Sequence, residues 1–345
     1  MKKRTDGFRA AEYIIFAAVT LAVMLMCICL GSVSLPLRST VRCLLNALSG
    51  RAQDEVRLAA SIILPVRLPR VLCVAIVGAS LSLGGAAMQG LLKNPLADGS
   101  TMGVASGASL GAIISIAFGV TVPGLPFLGR TGMAIVFAFG SLMAILALAY
   151  KLDSSLSTNT IILIGVIFSM FVSAISSFII TMAGEKVKTI TFWTLGSLQG
   201  VSYSNALLLA VAALLCGGIL LHTADELNAF DVGEDNARNI GVDVKRVKLT
   251  VLICISILIG VCVSVSGTIG FVGLVTPHIL RAITGPNHRR LLPASAFGGA
   301  VFLLLADLLS RTVLSPREIP IGVVTSFVGS IVFIWIYYRS RKRGA

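Results

Sequence analysis

The chain has 345 residues, of which 56% are hydrophobic and only 12% are charged. A soluble domain carries about 25% charged residues, so this composition excludes a water-facing globular surface. Apolar stretches of about 18 to 25 residues recur along the sequence, and each could cross about 30 Å of hydrocarbon as a helix. The composition therefore predicts an all-α polytopic membrane protein.

The net charge of +13 is concentrated in short segments between the apolar stretches. Charge in such positions sets the orientation of a membrane protein, so we expect no nucleic-acid partner. The seven cysteines form no CxxC pair, and His222, His278 and His288 are widely scattered. We therefore expect no metal site and no cofactor.

Uninterrupted apolar windows predict ten membrane spans. The least certain division is within residues 248–284, where the glycines of SGTIGFVG (266–273) offer the break; without it the count would be nine, with the termini on opposite sides. The ten windows are 13–34, 71–92, 100–122, 131–150, 159–182, 204–222, 248–266, 268–284, 292–313 and 320–338.

Basic residues gather at both chain ends, namely Lys2, Lys3, Arg4 and Arg9, then Arg339, Arg341, Lys342 and Arg343. The positive-inside rule places both termini in the cytoplasm, which requires an even number of spans. With this orientation the outer loop between the first two spans violates the rule. It holds Arg38, Arg42, Arg51, Arg57, Arg67 and Arg70.

The segment 223–247 is predicted to be cytoplasmic and holds six of the fifteen acidic residues. Residues 232–244 are typical of a short helix, because Glu234 and Asp235 suit its positive N-terminal end and Gly241 suits its C-terminal stop. We expect this segment to present a surface to another protein; a solvated loop without a partner is the alternative.

Two further patterns lie within the spans. Gly103, Gly107 and Gly111 leave one helix face without side chains, which predicts close packing against another helix, more readily within the subunit than with a second copy. Asp307 and Arg311 are four residues apart, and either a functional intramembrane acid or a structural ion pair would explain them.

The chain contains no GxxxxGK[ST] motif, so it has no phosphate-binding loop of its own. We therefore expect that it is not an enzyme and that any uphill transport draws energy from a partner or from an ion gradient.

Nine strings together resemble the iron-siderophore, haem and cobalamin permease family of ABC importers, often called the FecCD family. They keep the family's order over almost the whole chain: RLPR (67–70), GAAMQGLLKNPLAD (85–98), GVASGASLG (103–111), FWTLGSL (192–198), ARNIGVDVKRV (237–247), SGTIGFVGLVTPHILR (266–281), GPNHRRLLPASA (285–296), LLADLLSR (304–311) and EIPIGVVTSFVGSIVFIW (318–335).

The resemblance implies one permease domain over residues 1–345, with the ten-helix fold of a type II ABC importer in the cytoplasmic membrane. Such a subunit pairs with an identical or related permease around a central path. Two cytoplasmic ATPase subunits bind beneath it and hydrolyse the ATP, and one extracytoplasmic binding protein docks above.

The resemblance also assigns residues to roles. Docking of the binding protein falls to Arg67, Arg70 and Arg311, the arginines of RLPR and the one after LLAD. Coupling to the ATPase falls to Gly233, Glu234, Ala237, Arg238 and Gly241. In the family the fifth and tenth helices line the path. By position Thr158 and Asn159 would then belong to the cytoplasmic gate, with simple packing as the alternative, and Met170, Ser173 and Ser177 would face the path.

The expected cargo is a ferric siderophore, with haem and cobalamin as alternatives within the same mechanism. A different class, the ion-coupled secondary transporter, would need a mid-membrane acid to bind the coupling ion, and Asp307 is the clear candidate.

Overall fold

The computed structural model of the protein describes residues 7–31, 33–50, 57–98, 103–122, 126–154 and 157–343. Lys2, Lys3, Arg4 and Arg51 of the charge analysis lie outside these ranges. The regular structure of the described residues is helical: α1 Ala10–Cys29, α2 Leu37–Leu48, α3 Arg57–Ile62, α4 Leu68–Leu92, α5 Val104–Phe118, α6 Pro126–Leu152, α7 Thr158–Met182, α8 Val187–Thr194, α9 Tyr203–His222, α10 Ala224–Val232, α11 Glu234–Asn239, α12 Val244–Ser266, α13 Val272–Thr284, α14 His288–Thr312 and α15 Ile321–Arg343.

Each of the ten predicted apolar windows coincides with a helix, so the all-helical polytopic architecture is confirmed. Seven of the described helices are long and apolar enough to cross a membrane, and α5, α13 and Ile321–Trp335 of α15 are shorter apolar helices. The first span is shorter than predicted, because α1 ends at Cys29 and not at residue 34.

The predicted break within 248–284 is confirmed, since α12 ends at Ser266 and α13 begins at Val272. At about 1.5 Å per residue, α13 reaches only about 20 Å. Unpaired backbone at membrane depth is tolerated only where protein or a water-filled cavity surrounds it. Here the connecting residue Thr268 bonds to the carbonyl of Thr194, and the Ser197 amide donates to the Ser266 carbonyl at 2.8 Å.

Helix α4 is the centre of the bundle and packs against α9, α12, α13 and α14. Glycines bring its backbone into direct contact with two of these helices. A Cβ atom at Gly78 would overlap the Gly299 carbonyl oxygen on α14, and one at Gly85 would overlap the Gly273 carbonyl oxygen on α13. Such contacts between backbones are the main source of helix association in lipid, where apolar burial gives little driving force.

The glycine stripe of the third span packs within the subunit, as predicted. A Cβ atom at Gly107 would overlap the Ser141 side chain on α6, and one at Gly111 would overlap the Met133 carbonyl oxygen. The stripe therefore forms the α5–α6 interface and is not free to contact a second copy.

Residues 35–50 were predicted to be part of the outer loop, but α2 is an amphipathic helix. Leu37, Leu45 and Leu48 are exposed on one face, and the exposed Arg38 and Arg42 lie about a quarter of a turn away. A helix of this kind suits the plane between hydrocarbon and headgroups, where its leucines enter the acyl chains and its arginines meet lipid phosphates.

Substitution of Gly78 tests the backbone contact at the centre of the bundle. We expect Gly78→Ala to lower the thermal unfolding midpoint by several degrees, because the added methyl group must push α14 away and overpacking costs about 1–3 kcal/mol. The midpoint can be followed in detergent with a thiol-reactive dye.

Gly140→Ala on α6 is the matched control, since a Cβ atom built there meets no described atom within 4 Å. Alanine favours helix over glycine by about 1 kcal/mol, so this variant should keep or raise the midpoint. Equal midpoints for the two variants would contradict the assigned contact.

Candidate functional site

Two ends of the bundle carry the polar residues of interest. The Arg70 end contains the first turn of α4 and the last turn of α14. The Glu234 end contains the last turn of α4, the helices α10 and α11, and the first turns of α7 and α12.

A cavity of about 430 Å³ lies between α5, α7, α12 and the segment before α13. Its lining combines aliphatic side chains with five serines, two threonines and Asp98. The Ser177 hydroxyl donates to the Ser173 carbonyl of its own helix at 3.0 Å. Hydroxyls already bonded to their own helix bind a passing molecule weakly. The serines are Ser106, Ser109, Ser173, Ser176 and Ser177.

The structure brings two of the predicted path residues together, because Ser173 and Ser177 both line this cavity. Met170 lies one turn earlier on the same face of α7 but outside the cavity lining, with 69% of its surface exposed. Sequence reasoning missed Ser106 and Ser109, which belong to α5 and reach the cavity beside the glycine stripe.

The predicted gate residues Thr158 and Asn159 begin α7 at the Glu234 end. The Asp153 carboxylate fixes this first turn, since its Oδ2 accepts from the Ser157 amide at 3.0 Å and from the Thr160 hydroxyl at 3.3 Å. The Thr158 hydroxyl lies 3.5 Å from Glu234 Oε1, whereas Asn159 is exposed. The gate position thus touches the predicted coupling helix.

The predicted short helix of segment 223–247 is confirmed as α11, with Glu234 and Asp235 in its first turn. Glycines flank it, at φ 130° for Gly233 and φ 92° for Gly241. Only glycine adopts these values without strain, so the chain turns sharply at both ends. Arg238 pairs with Asp235 at 3.8 Å on the surface, a contact worth little in water.

Two members of α11 point inward. Ala237 is fully buried, and Glu234 forms an ion pair with Lys248 of α12, whose side chain is only 1% exposed. The Lys248 Nζ atom lies 2.8 Å from both Glu234 carboxylate oxygens. The sequence alone did not indicate this pair, because Lys248 and Glu234 belong to different predicted elements, the seventh span and the cytoplasmic segment.

The preceding helix α10 is fixed to the start of α14. The Asn228 side chain accepts from the His288 amide at 2.8 Å, and Asp225 pairs with Arg289. The hydrogen bond from Arg289 lowers the pKa of the Asp225 carboxyl. Burial raises the pKa of the Asp231 carboxyl on the same helix. Among the described residues, no group of three or more His, Cys, Asp or Glu side chains could hold a metal ion.

At the Arg70 end, the three predicted docking arginines are buried, with exposures of 6% for Arg67, 8% for Arg70 and 6% for Arg311. This corrects the expectation that they are free surface charges. Arg67 donates to the carbonyl oxygens of Ile28 at 2.7 Å and Cys29 at 3.0 Å, and so closes the end of α1.

The other two arginines share one buried acid. Arg70 Nη2 lies 2.9 Å from Asp307 Oδ1, and Arg311 Nε lies 2.9 Å from Asp307 Oδ2, so the structural ion pair considered for Asp307 and Arg311 is confirmed. Arg70 also reaches Glu318 at 2.9 Å, a partner that sequence reasoning missed. Two positive and two negative charges thus neutralise one another, as buried ions require.

Comparison with known proteins agrees with this architecture. The chain matches the model of the FecCD transport family over residues 19–339. It is 42% identical to the uncharacterized ABC transporter permease protein YvrB of Bacillus subtilis, covering 99% of this chain and 97% of that protein. It is 37% identical to the hemin transport system permease protein HmuU of Yersinia pestis, covering 94% of this chain and 95% of that protein.

A solved structure described as an inward-facing conformation of a metal-chelate type ABC transporter shares the fold. Its TM-score is 0.84 at 31% identity, with 96% of this chain and 100% of that chain covered. The names of other relatives refer to cobalamin, molybdate and iron chelatin. Because a family model and several relatives match nearly the whole chain, this protein is a multi-pass membrane protein that belongs to the FecCD family of ABC transporter permeases.

Proposed function

We propose that the chain is the permease subunit of an ABC importer that carries a ferric siderophore complex across the cytoplasmic membrane. The cavity between α5, α7 and α12 is the observation that carries this proposal. No arginine, lysine or histidine is among the described residues that line it. A lining of hydroxyl and aliphatic groups with the carboxylate of Asp98 suits a large, shielded chelate that must pass without strong binding. It suits a small bare anion such as molybdate less well, because it offers the anion no positive charge.

Haem and cobalamin are the second candidates within the same mechanism. They are supported by the names of the hemin and cobalamin permeases that the chain resembles. Two permease subunits, identical or related, would place their α7 helices around a common path. The exposed Met170, Phe171 and Phe178 of α7 support such a contact with a second subunit.

In this proposal the Glu234 end faces the cytoplasm, together with both termini. Two ATPase subunits bind there on a surface centred on Gly233, Glu234, Ala237, Arg238 and Gly241. The exposure of Ile240, at 73%, supports a protein partner, because an apolar side chain beside charged ones is typical of an interface. ATP hydrolysis belongs to these partners.

The bonding of Asp307 favours an ATP-driven importer over an ion-coupled carrier. A carrier needs an acid that can release and rebind the coupling ion. Asp307 is fully buried and is held by Arg70 on one oxygen and by Arg311 on the other. Oδ1 accepts a hydrogen bond from Arg70, whereas Oδ2 has only the ion-pair contact with Arg311 and no hydrogen bond. The carboxylate charge is therefore balanced within the subunit.

The docking role of Arg67, Arg70 and Arg311 stays a proposal for the Arg70 end, where the extracytoplasmic binding protein would sit. Their position at this end supports it. Because each arginine has internal partners, docking through them would require these bonds to rearrange, and their substitution would disturb folding as well as docking.

Transport in proteoliposomes tests the proposed function. We expect uptake of a 55Fe-labelled ferric siderophore to require internal ATP, the ATPase subunits and the binding protein, and to persist after ionophores collapse all ion gradients. Parallel assays with haem and cobalamin identify the cargo. Uptake that follows an ion gradient without ATP would refute the proposal.

A bulky residue in the cavity should obstruct the path. We expect Ser177→Trp to lower import at least tenfold, because the indole fills space that the cargo needs. Leu207→Trp on α9, where the leucine is 67% exposed and outside the cavity lining, should import normally. Normal import by Ser177→Trp would show that the cargo takes another route.

Neutralisation of Asp307 tests the internal role of the arginines. We expect Asp307→Asn to destabilise the subunit by about 3–5 kcal/mol, because Arg70 and Arg311 would lose their shared buried counter-ion. Glu318→Gln should cost much less, since the Glu318 side chain is 31% exposed. Thermal midpoints in detergent compare the two, and a larger loss for Glu318→Gln would contradict the network.

A further inference from the structure

We propose that Glu234 is a positioning residue that transmits movement of α11 to the first turn of α7, with Lys248 holding its carboxylate in place. This inference rests on the proposed ATP-driven import and names the contact through which the coupling helix would act on the gate. Three features of the Glu234 end carry it.

The first feature is the fixed side of the contact. Lys248 is 1% exposed, and its Nζ atom lies 2.8 Å from both carboxylate oxygens of Glu234. Lys248 sits early in α12, close to the positive end of the helix dipole, where an ammonium group is unfavourable. A buried ammonium at this position therefore requires an acid, and Glu234 supplies it.

The second feature is the loose side of the contact. The Thr158 hydroxyl lies 3.5 Å from Glu234 Oε1, at the long limit of a hydrogen bond. A shift of about 0.5 Å makes or breaks such a bond. Because Asp153 ties Ser157 and Thr160 together, the first turn of α7 would respond to this shift as one unit.

The third feature is the pair of glycines that bounds α11, a helix whose inner face packs against the protein through the fully buried Ala237. Gly233 and Gly241 flank its six residues, while α10 is held separately on α14 through Asn228 and Asp225. The outer face of α11 carries Asp235, whose side chain is 95% exposed. A partner that pushes this face would rotate α11 about its flanking glycines. Glu234 is the α11 side chain that would carry this movement to Thr158 of α7.

The experiment uses the complete transporter, with its ATPase subunits, in proteoliposomes. A cysteine is introduced at Ser173, and its ATP-dependent labelling by a water-soluble maleimide reports movement of α7 without any need for cargo. Labelling is expressed per ATP hydrolysed, so a change in ATPase rate does not alter the result. The seven native cysteines are buried and give a low background.

We expect Glu234→Gln to lower the ATP-dependent labelling at least tenfold. Because this variant leaves Lys248 without its acid and could fold poorly, Glu234→Gln combined with Lys248→Met is made as well. The double variant should have the same thermal midpoint as the transporter that retains Glu234 and Lys248, but its ATP-dependent labelling should stay low. If the pair were purely structural, the double variant would recover both the midpoint and the labelling. Glu234→Asp should restore part of the response.

Glu185→Gln is the control, because it makes the same chemical change on an exposed residue beyond the opposite end of α7 from Glu234, and it should label normally. Normal labelling of both the single and the double Glu234 variants would overturn this inference and leave the proposed function intact. Absence of ATP-dependent labelling in the Ser173→Cys transporter that retains Glu234 would instead overturn the proposed function, and this inference with it.

Discussion

The bundle depends on direct contact between helix backbones around α4. Gly78 meets Gly299, and Gly85 meets Gly273, at separations that leave no room for a Cβ atom. In lipid an apolar side chain gains little by moving from the bilayer into the protein, so dispersion between closely packed helices must hold the fold together. The same contacts fix the positions of α13 and α14 relative to α4. They thereby position the segment before α13, which lines the cavity, and the last turn of α14, which belongs to the Arg70 end.

Charged groups buried in this packed bundle must be paired with groups of opposite charge. Arg70, Arg311, Asp307 and Glu318 form a neutral set at one end, and Glu234 with Lys248 forms a neutral pair at the other. Their cost of burial is offset only while every partner is present. By contrast, the cavity between them presents hydroxyls, aliphatic groups and the carboxylate of Asp98. The subunit thus has strong electrostatic contacts at its two ends and a weakly interacting surface in the middle, an arrangement that suits passage better than retention.

Much of the fold could be predicted from local patterns. Apolar windows located the ten spans, and glycines marked the break between α12 and α13. Charge placement predicted one helix over residues 232–244, of which α11 forms only Glu234–Asn239, and α10 was not predicted. The features that escaped prediction depend on distant partners. Arg70 and Asp307 are separated by 237 residues, so no local pattern shows that the arginine is buried. Lys248 resembled any flanking basic residue until Glu234 was placed beside it. The helix α2 was missed because its twelve residues, LRSTVRCLLNAL, are too few and too polar for a span.

The long separation in sequence between Arg70 and Asp307 affects how the protein folds during its biosynthesis. When α4 emerges from the ribosome, Arg70 lacks both Asp307 and Glu318, because these acids are synthesised only after most of the later spans. The Arg70 end must therefore wait, hydrated or held by the insertion machinery, until α14 arrives and supplies the counter-ion. The Arg70 end therefore reaches its final structure only after α14 has been synthesised. A fragment that ends before α14 would leave Arg70 without Asp307, and we expect it to be degraded.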